Sequence, residues 1–291
     1  MADAPGPGTL YLVATPIGNL EDVTLRALRV LKEADLVAAE DTRRTRKLLT
    51  HYGISSKLVS CHEHNEAERI PALLEALRSG KSVALVSDAG SPAVSDPGAR
   101  LVRAAAEAGL PVTAVPGPSA VTAALALAGF PADRFSFYGF LPRSRSRRRT
   151  LLERAAEETH TVIFFESPRR AAATVEEVIE VFGDREAALC RELTKHFEEV
   201  LRGTLTGILG RIRQTTPRGE ICMVVAGKPP VCPARPAFSG KPEPRPEIGL
   251  ELEHLRAEGL SLKEAARKLA AAHGLPRREV YQLALRNKDE K

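Results

Sequence analysis

At 291 residues, with 43% hydrophobic and 27% charged side chains, the chain has the balance of an ordinary globular protein and material for one large or two modest domains. Aromatic residues are only 4% and tryptophan is absent, so aliphatic side chains must do most of the packing. The most apolar stretch, Ala104–Phe130, is interrupted by Glu107, Gly109, Pro111, Pro116 and Pro118, which excludes a bilayer-spanning helix there. Met1–Gly8 has neither a basic start nor an apolar signal core, so a cytoplasmic protein without a membrane partner is expected. Cys61, Cys190, Cys222 and Cys232 lie far apart with no CxxC pair, so reduced thiols are expected and a metal site built from them is not.

Net charge is a mild +5, but its distribution is uneven. Arg143, Arg145, Arg147, Arg148 and Arg149 crowd one segment, and Arg43, Arg44, Arg46 and Lys47 another. Either run alone reads equally well as a solvated face. Together, beside loops expected at a cleft, they point to an anionic partner.

Apolar β-type runs alternate with helical-period segments through the first 120 residues or so. Strands are predicted at Leu10–Ala14, Leu36–Ala39, Lys57–Ser60, Val83–Val86 and Val112–Val115. Between them a helix is predicted through Leu20, Val23, Leu28, Leu31 and Ala34, a basic one over Thr42–His51, and another through Ile70, Leu73, Leu74 and Leu77 that Gly80 ends. Asp96 and Pro97 read as the N-cap and first-turn proline of a helix to Gly109, and Ser119–Ala128 as a small-residue helix. This order argues for an α/β fold with a mostly parallel sheet and helices on both faces. Further on, strands at Phe135–Phe140, Val162–Glu166, Ala187–Leu193, Glu198–Arg202 and Ile221–Ala226 outnumber helices at Arg147–Glu158, Pro168–Phe182 and Thr206–Arg213, so a mixed sheet is expected.

Seven prolines within Pro229–Pro246 read as an extended linker. Beyond it, Ser261–Glu264 is a capping box, Gly274 a helix stop and Pro276 a fresh start, the outline of a helix-turn-helix. Nine basic residues against eight acidic ones from Glu247 to Lys291 favour docking or packing over DNA reading. The expected organisation is therefore an N-terminal α/β domain over 1–117, a second over 118–228, a linker over 229–246 and a helical tail over 247–291.

Chemistry is expected at three turns that each follow a strand and open a helix: Thr15–Asn19, Ser87–Gly98 and Pro116–Ser119. In a parallel sheet such turns gather at the carboxyl edge, where open α/β folds bind ligands. Their glycines and prolines allow close, stiff backbone approach. The GxGxxG, GxxxxGK[ST] and GxSxG patterns are all missing, which weighs against a dinucleotide fold, a P-loop hydrolase and a nucleophile-elbow enzyme.

The ordered motifs LYLVATPIGNLEDVTLRALRVLKEADLVAAEDTRRTRKLL, LVSDAGSPAVSDPG, VPGPSA, FYGFLPRS, FFESPRR and CRELTK, from about Thr9 to Gly227, resemble the tetrapyrrole-methylase superfamily, in particular its ribosomal-RNA branch. The resemblance implies a cleft between two α/β domains holding S-adenosylmethionine, and 2′-O-methylation of a cytidine ribose in 16S RNA of the 30S subunit. It implies cofactor contacts from Asp88, Ala89, Gly90, Val94 and Ser95, from Pro16 on the cleft floor, from Ser119 and Ala120, and from Leu141 of the second domain. A homodimer is also expected. The tetrapyrrole enzymes typically carry Gly-Asp-Pro where this chain has Asp-Ala-Gly-Ser-Pro, which argues against the alternative of a tetrapyrrole-precursor substrate.

On the substrate side, Glu166 is expected to accept a proton, and Arg191 or Lys195 to hold a phosphate or an oxyanion. For Glu166 the competing reading is stabilisation of the helix start beside Pro168, and for Glu40–Asp41 it is helix capping. Arg43, Arg44 and the Arg143–Arg149 run are the expected RNA contacts. His62 and His64 invite a metal, but a third ligand is not evident, and an RNA-facing loop at the cleft edge is the preferred reading.

Overall fold

The computed structural model describes residues 6–215, 219–229, 246–273 and 280. They divide into two compact units, residues 1–230 and 231–291. No helix among the described residues is long and apolar enough to cross a membrane.

The first unit opens with strands β1 (Leu10–Val13), β2 (Leu36–Ala39), β3 (Leu58–Ser60), β4 (Val83–Val86) and β5 (Val112–Val115). They form one parallel sheet in the order β3-β2-β4-β1-β5. Helices α1 (Leu25–Glu33), α2 (Thr42–His51), α3 (Glu66–Arg78) and α4 (Ala99–Glu107) supply the crossovers. Val30, Leu31 and Leu49 of α1 and α2 pack over one face, and Leu73, Leu77 and Leu101 of α3 and α4 over the other. Covered on both sides, β4 has every residue buried, as its uninterrupted apolar run predicts.

Two helix starts differ from expectation. The segment after Leu20 makes a 3-10 turn over Leu20–Asp22, and α1 starts afresh behind Thr24, whose hydroxyl accepts a hydrogen bond from the Ala27 amide at 3.1 Å. The second is α4, which begins at Ala99 rather than at Pro97. Its first amides are satisfied by Glu66 instead of Asp96: Glu66 Oε1 accepts from the Gly98 and Leu101 N–H groups, both at 3.1 Å. A buried carboxylate from α3 thus does the work of a local cap, which frees Asp96 for other duties.

After β5 the chain enters α5 (Ala120–Ala128), then β6 (Phe135–Phe140), α6 (Arg145–Ala156), β7 (Thr161–Glu166), α7 (Ala171–Phe182), β8 (Glu186–Arg191), β9 (Glu199–Thr204), α8 (Leu205–Gln214) and β10 (Ile221–Val225). The second sheet runs β6-β7-β10-β8-β9 and is mixed: β6 and β7 are parallel, and the remaining pairs antiparallel. Helices α6, α7 and α8 cover one face around Phe164, Leu189 and Met223, and α5 covers the other through Val121, Ala124 and Leu125. Phe164 is 1% exposed, so truncating it to alanine costs about 3–5 kcal/mol.

The second unit contains α9 (Pro246–Ala257) and α10 (Leu262–Ala272), which pack through Ile248, Leu252, Ala265, Ala266 and Leu269, with Val280 buried against them. The capping box is present: Ser261 Oγ accepts from the Glu264 amide, and Glu264 accepts from the Ser261 amide at 3.1 Å. Pro246, read as the end of the linker, is the first residue of α9, where its missing N–H and fixed φ fit. The rest of the linker, residues 230–245 with Cys232, and the turn at Gly274 and Pro276 lie outside the described residues.

Candidate active site

The strand order puts β4, β1 and β5 side by side, so the three expected turns leave adjacent positions on one edge. Thr15 and Gly90 exchange both backbone hydrogen bonds at 2.9 Å, and the Thr15 hydroxyl donates to the Ser87 carbonyl at 3.1 Å. Gly90 has φ +81°, and a Cβ there would lie 3.5 Å from Ile17 Cγ2 and 3.8 Å from the Pro118 carbonyl, so this glycine sits where all three turns meet. Ala93 and Ser95 hold φ of 67° and 63°, a left-handed backbone unfavourable for residues with a Cβ and concentrated at functional loops.

Between these turns and the second sheet lies a cavity of about 280 Å³. Ile17, Ala89–Ser91, Val94–Asp96 and Ser119–Val121 line one side; Phe140, Phe165–Pro168, Cys190, Leu193 and Gly219–Cys222 line the other. Ser119 makes no side-chain cap bond to α5, so the first amides of that helix remain available to a ligand at the cavity wall.

Carboxylates gather behind the β4 turn. Glu40 Oε2 accepts from the Asp88 amide at 3.3 Å, and Asp88 Oδ1 accepts from the Asp41 amide at 3.0 Å. Burial pushes the Glu40 carboxyl above its ordinary value. Asp96, which lines the cavity, is pushed up to about 6, first by burial and then by the charge of Glu40. A carboxyl raised by burial and then by acidic neighbours gains most from a cationic ligand.

Of the expected cofactor residues, Ala89, Gly90, Val94, Ser95, Ser119 and Ala120 line the cavity. Pro16, Asp88 and Leu141 do not. Asp88 stands behind the wall, its second oxygen 3.3 Å from Arg44 Nη1. Leu141 is 2% exposed and packs in the core on the α6–α7 face, and its neighbour Phe140 lines the cavity.

Glu166 lines the cavity, yet its geometry departs from the expected proton acceptor. Oε1 accepts from the Ser167 amide at 2.6 Å and from its hydroxyl at 3.2 Å. Oε2 accepts from Thr174 Oγ1 at 2.7 Å and pairs with Arg170 Nη2 at 3.0 Å. Both oxygens are committed to the start of α7, in line with the competing helix-start reading. Arg191 is paired with Glu199 at 2.9 Å and lies off the cavity wall. Lys195 pairs with Glu192 at 3.0 Å and Glu220 at 3.3 Å, and lines a separate open groove with Gly18, Asn19, His51 and His196.

The arginine runs also divide. Asp41 caps α2 through the Arg43 amide at 2.8 Å and holds the Arg43 side chain at 2.8 Å, which keeps the Asp41 carboxyl far below its ordinary value. Arg148 is not a surface group: 14% exposed, it pairs with the buried Glu177 at 2.6 Å. Arg149 pairs with Glu153 at 3.2 Å and Glu180 at 3.1 Å. Arg143, Arg145 and Arg147 are exposed, and among the described residues no ion pair engages them. His62 and His64 sit in a turn after β3, not on a strand, with ring centroids 6.1 Å apart. Among the described residues they join no cluster of three metal-ligating side chains. Cys61, Cys190 and Cys222 are free, buried thiols, Cys61 and Cys190 pushed up to about 11 by burial.

Sequence reasoning missed Asp96 as a lining residue, having spent it on helix capping, and missed Phe140, Phe165 and Glu220. For Asp96 a signal existed as the second aspartate of the SDAGSPAVSD run, but its raised carboxyl depends on burial and on the charge of Glu40, which follows β2.

Residues 9–209, the span that builds both sheets up to α8, match the model of the Tetrapyrrole (Corrin/Porphyrin) Methylases. The chain belongs to the tetrapyrrole methylase family. Residues 246–288 match the model described as RsmI C-terminal HTH domain. Within the family the chain is similar to Ribosomal RNA small subunit methyltransferase I of Halalkalibacterium halodurans, 46% identical over 95% of this chain and 94% of that protein. The protein of that name from Thermotoga maritima is 48% identical over 76% of this chain and 99% of its own length, which leaves about a quarter of this chain without a counterpart there. Among solved structures, cobalt precorrin-4 methyltransferase superposes with a TM-score of 0.57 at 21% identity, covering 75% of this chain and 94% of that one. Uroporphyrin-III C-methyl transferase from Thermus thermophilus, complexed with S-adenyl homocysteine, gives 0.54 at 23% identity, covering 75% and 97%. These likenesses extend the tetrapyrrole methylase fold to both sheets.

Proposed function

We propose that this tetrapyrrole methylase transfers a methyl group from S-adenosylmethionine to the 2′-oxygen of a cytidine ribose in 16S RNA of the 30S subunit. The observation that carries the reading is the cavity at which the turns after β4, β1 and β5 converge, with Asp96 in its wall. Relatives matching nearly the whole chain bear the name ribosomal RNA small subunit methyltransferase I. Residues 1–117 and 118–228 are read as the two lobes around that cavity, and the cytoplasm as its place of work.

The residues present fit the cofactor. It carries a sulfonium and an ammonium, which suit Asp96 and the carboxylates behind it, and a carboxylate, which suits the uncapped amides at the start of α5. Ala89, Gly90, Val94, Ser95, Asp96, Ser119 and Ala120 would hold it, while Asp88 and Pro16 belong to the turns that line the cavity. Once bound, the cofactor supplies an electrophilic methyl group. The chain's part is to align the acceptor oxygen behind that methyl, a positioning effect worth roughly 7–11 kcal/mol. With Glu166 committed to α7, and Arg191 and Lys195 in ion pairs off the wall, positioning carries most of the rate.

Exposed Arg143, Arg145 and Arg147 are the groups best placed to meet RNA phosphates, since Arg43, Arg44, Arg148 and Arg149 already have carboxylate partners. A homodimer belongs to the same reading: Leu25 at 86% exposure and Phe197 at 68% are large apolar side chains such a contact would cover. The test is to incubate purified protein and S-adenosylmethionine with unmethylated 30S subunits and map ribose methylation on the 16S RNA. A single new 2′-O-methylcytidine is the expected result, and its absence removes the reading.

A further inference from the structure

Strand β6 contains an irregularity that turns one aromatic ring toward the cavity. Along an unbroken strand, side chains alternate, so Phe137 and Gly139 would share the α5 face, and Tyr138 and Phe140 the α6 face. Phe137 and Tyr138 follow this rule. The pairing with β7 then slips: Phe137 stands opposite Ile163 but Phe140 stands opposite Phe165, so β6 carries one residue more than its partner. Gly139, at φ +62°, absorbs the extra residue, and a Cβ there would lie 2.7 Å from Ser95 Oγ in the cavity loop. The bulge flips everything after it. Leu141 enters the core, and Phe140 swings to the cavity face, its ring centroid 5.4 Å from Phe165, which is itself 5.0 Å from Phe137.

Bulges of this kind recur beside active sites because they re-aim a side chain. Here the product is a Phe140 side chain left 62% exposed at the cavity wall, its ring backed at a tilt by that of Phe165. Downstream, Arg143, Arg145 and Arg147 follow within the next seven residues, all exposed. An open aromatic face followed by free cations is the combination with which proteins hold unpaired nucleotides.

We propose that Phe140 is the platform on which a base of the substrate RNA stacks, so that the ribose hydroxyl is set at the cavity. The proposal rests on the RNA methyltransferase reading above. It makes Phe140 a positioning and specificity residue for the substrate, not a cofactor contact. Stacking leaves the ring's backing on Phe165 unchanged and covers its free face with the base, which is tolerant of base identity but intolerant of losing the ring.

The experiment compares the parent, Phe140→Ala and Phe140→Trp in steady-state methyl transfer to 30S subunits, with S-adenosylmethionine affinity by calorimetry and oligomeric state by light scattering. Phe140→Ala is expected to lower kcat/KM for 30S subunits by about 5- to 100-fold, the range set by loss of one base–aromatic stack, mainly through KM. Phe140→Trp should restore most of it, because any flat ring serves. Melting temperature and cofactor affinity should match the parent, since the ring is exposed. Parent-like 30S kinetics in Phe140→Ala would overturn the proposal. So would an equal loss of cofactor affinity, which would assign the ring to the adenine, or a changed oligomeric state, which would assign it to a subunit contact. Failure of the underlying function is separable, because it shows in the parent enzyme as no ribose methylation at all.

Discussion

Replacing Arg148 by alanine should damage the fold, whereas replacing its neighbour Arg145 should not. Arg148 Nε lies 2.6 Å from Glu177 Oε2, with the two side chains 14% and 8% exposed. Its Nη1 also donates to the carbonyls of Pro142 and Arg143 at 3.2 and 3.4 Å, tying the loop before α6 to α7. Glu177 Oε1 is already buried without a hydrogen-bond partner among the described residues, so losing Arg148 leaves the whole carboxylate uncompensated. Breaking a buried pair from one side costs about 3–5 kcal/mol. An exposed Arg145→Ala change falls within about 0.5 kcal/mol of zero. Urea unfolding of the two variants measures the difference directly, and Arg148→Met with Glu177→Leu should recover much of the loss because no charge then remains buried. Equal midpoints for Arg148→Ala and Arg145→Ala would refute the reasoning and return Arg148 to the solvated run.

The other expectations concern ligands. Asp96 has its carboxyl raised to about 6, so its contribution favours the ligand-free fold at low pH and is lost as pH rises through that value. Asp96→Asn should therefore raise the melting temperature of the free protein at pH 8 but not at pH 4, while weakening cofactor binding at pH 8 and flattening its pH dependence; calorimetry across pH checks both. Gly90→Val forces a branched side chain into φ +81° and should reduce cofactor affinity by about tenfold or more, with the fold retained; parent-like affinity would detach this loop from the cofactor. Neutralising Arg143, Arg145 and Arg147 together should flatten the log–log salt slope of RNA binding by about 2 to 3 units and leave cofactor affinity unchanged, measured by filter binding over a salt series. Deleting residues 247–291 should spare cofactor binding, because every lining residue of the cavity precedes them, while reducing methylation of assembled 30S subunits more than of free 16S RNA; equal effects on both substrates would make the tail a packing element.

What the sequence determined by itself was local. The uninterrupted apolar run Val83–Val86, the period of α2 over Thr42–His51 and the Ser261–Glu264 capping box each depend on residues within one or two turns, and each stands where the pattern placed it. The turns that line the cavity were legible for the same reason, since Gly90 and Pro118 declare their backbone geometry in one letter. The tertiary structure decided everything that required a distant partner. Strand order brought β4, β1 and β5 together. Glu66 capped α4 from 32 residues away and left Asp96 to the cavity, where burial and then the charge of Glu40 raise it. Glu177 drew Arg148 out of a basic run that looked uniform, and the start of α7 occupied both oxygens of Glu166. A single bulge at Gly139 exchanged Leu141 for Phe140 at the cavity wall. Periodicity fixes which face a side chain takes only while the register holds, and register, burial and charge pairing are properties of the neighbours a segment meets after folding.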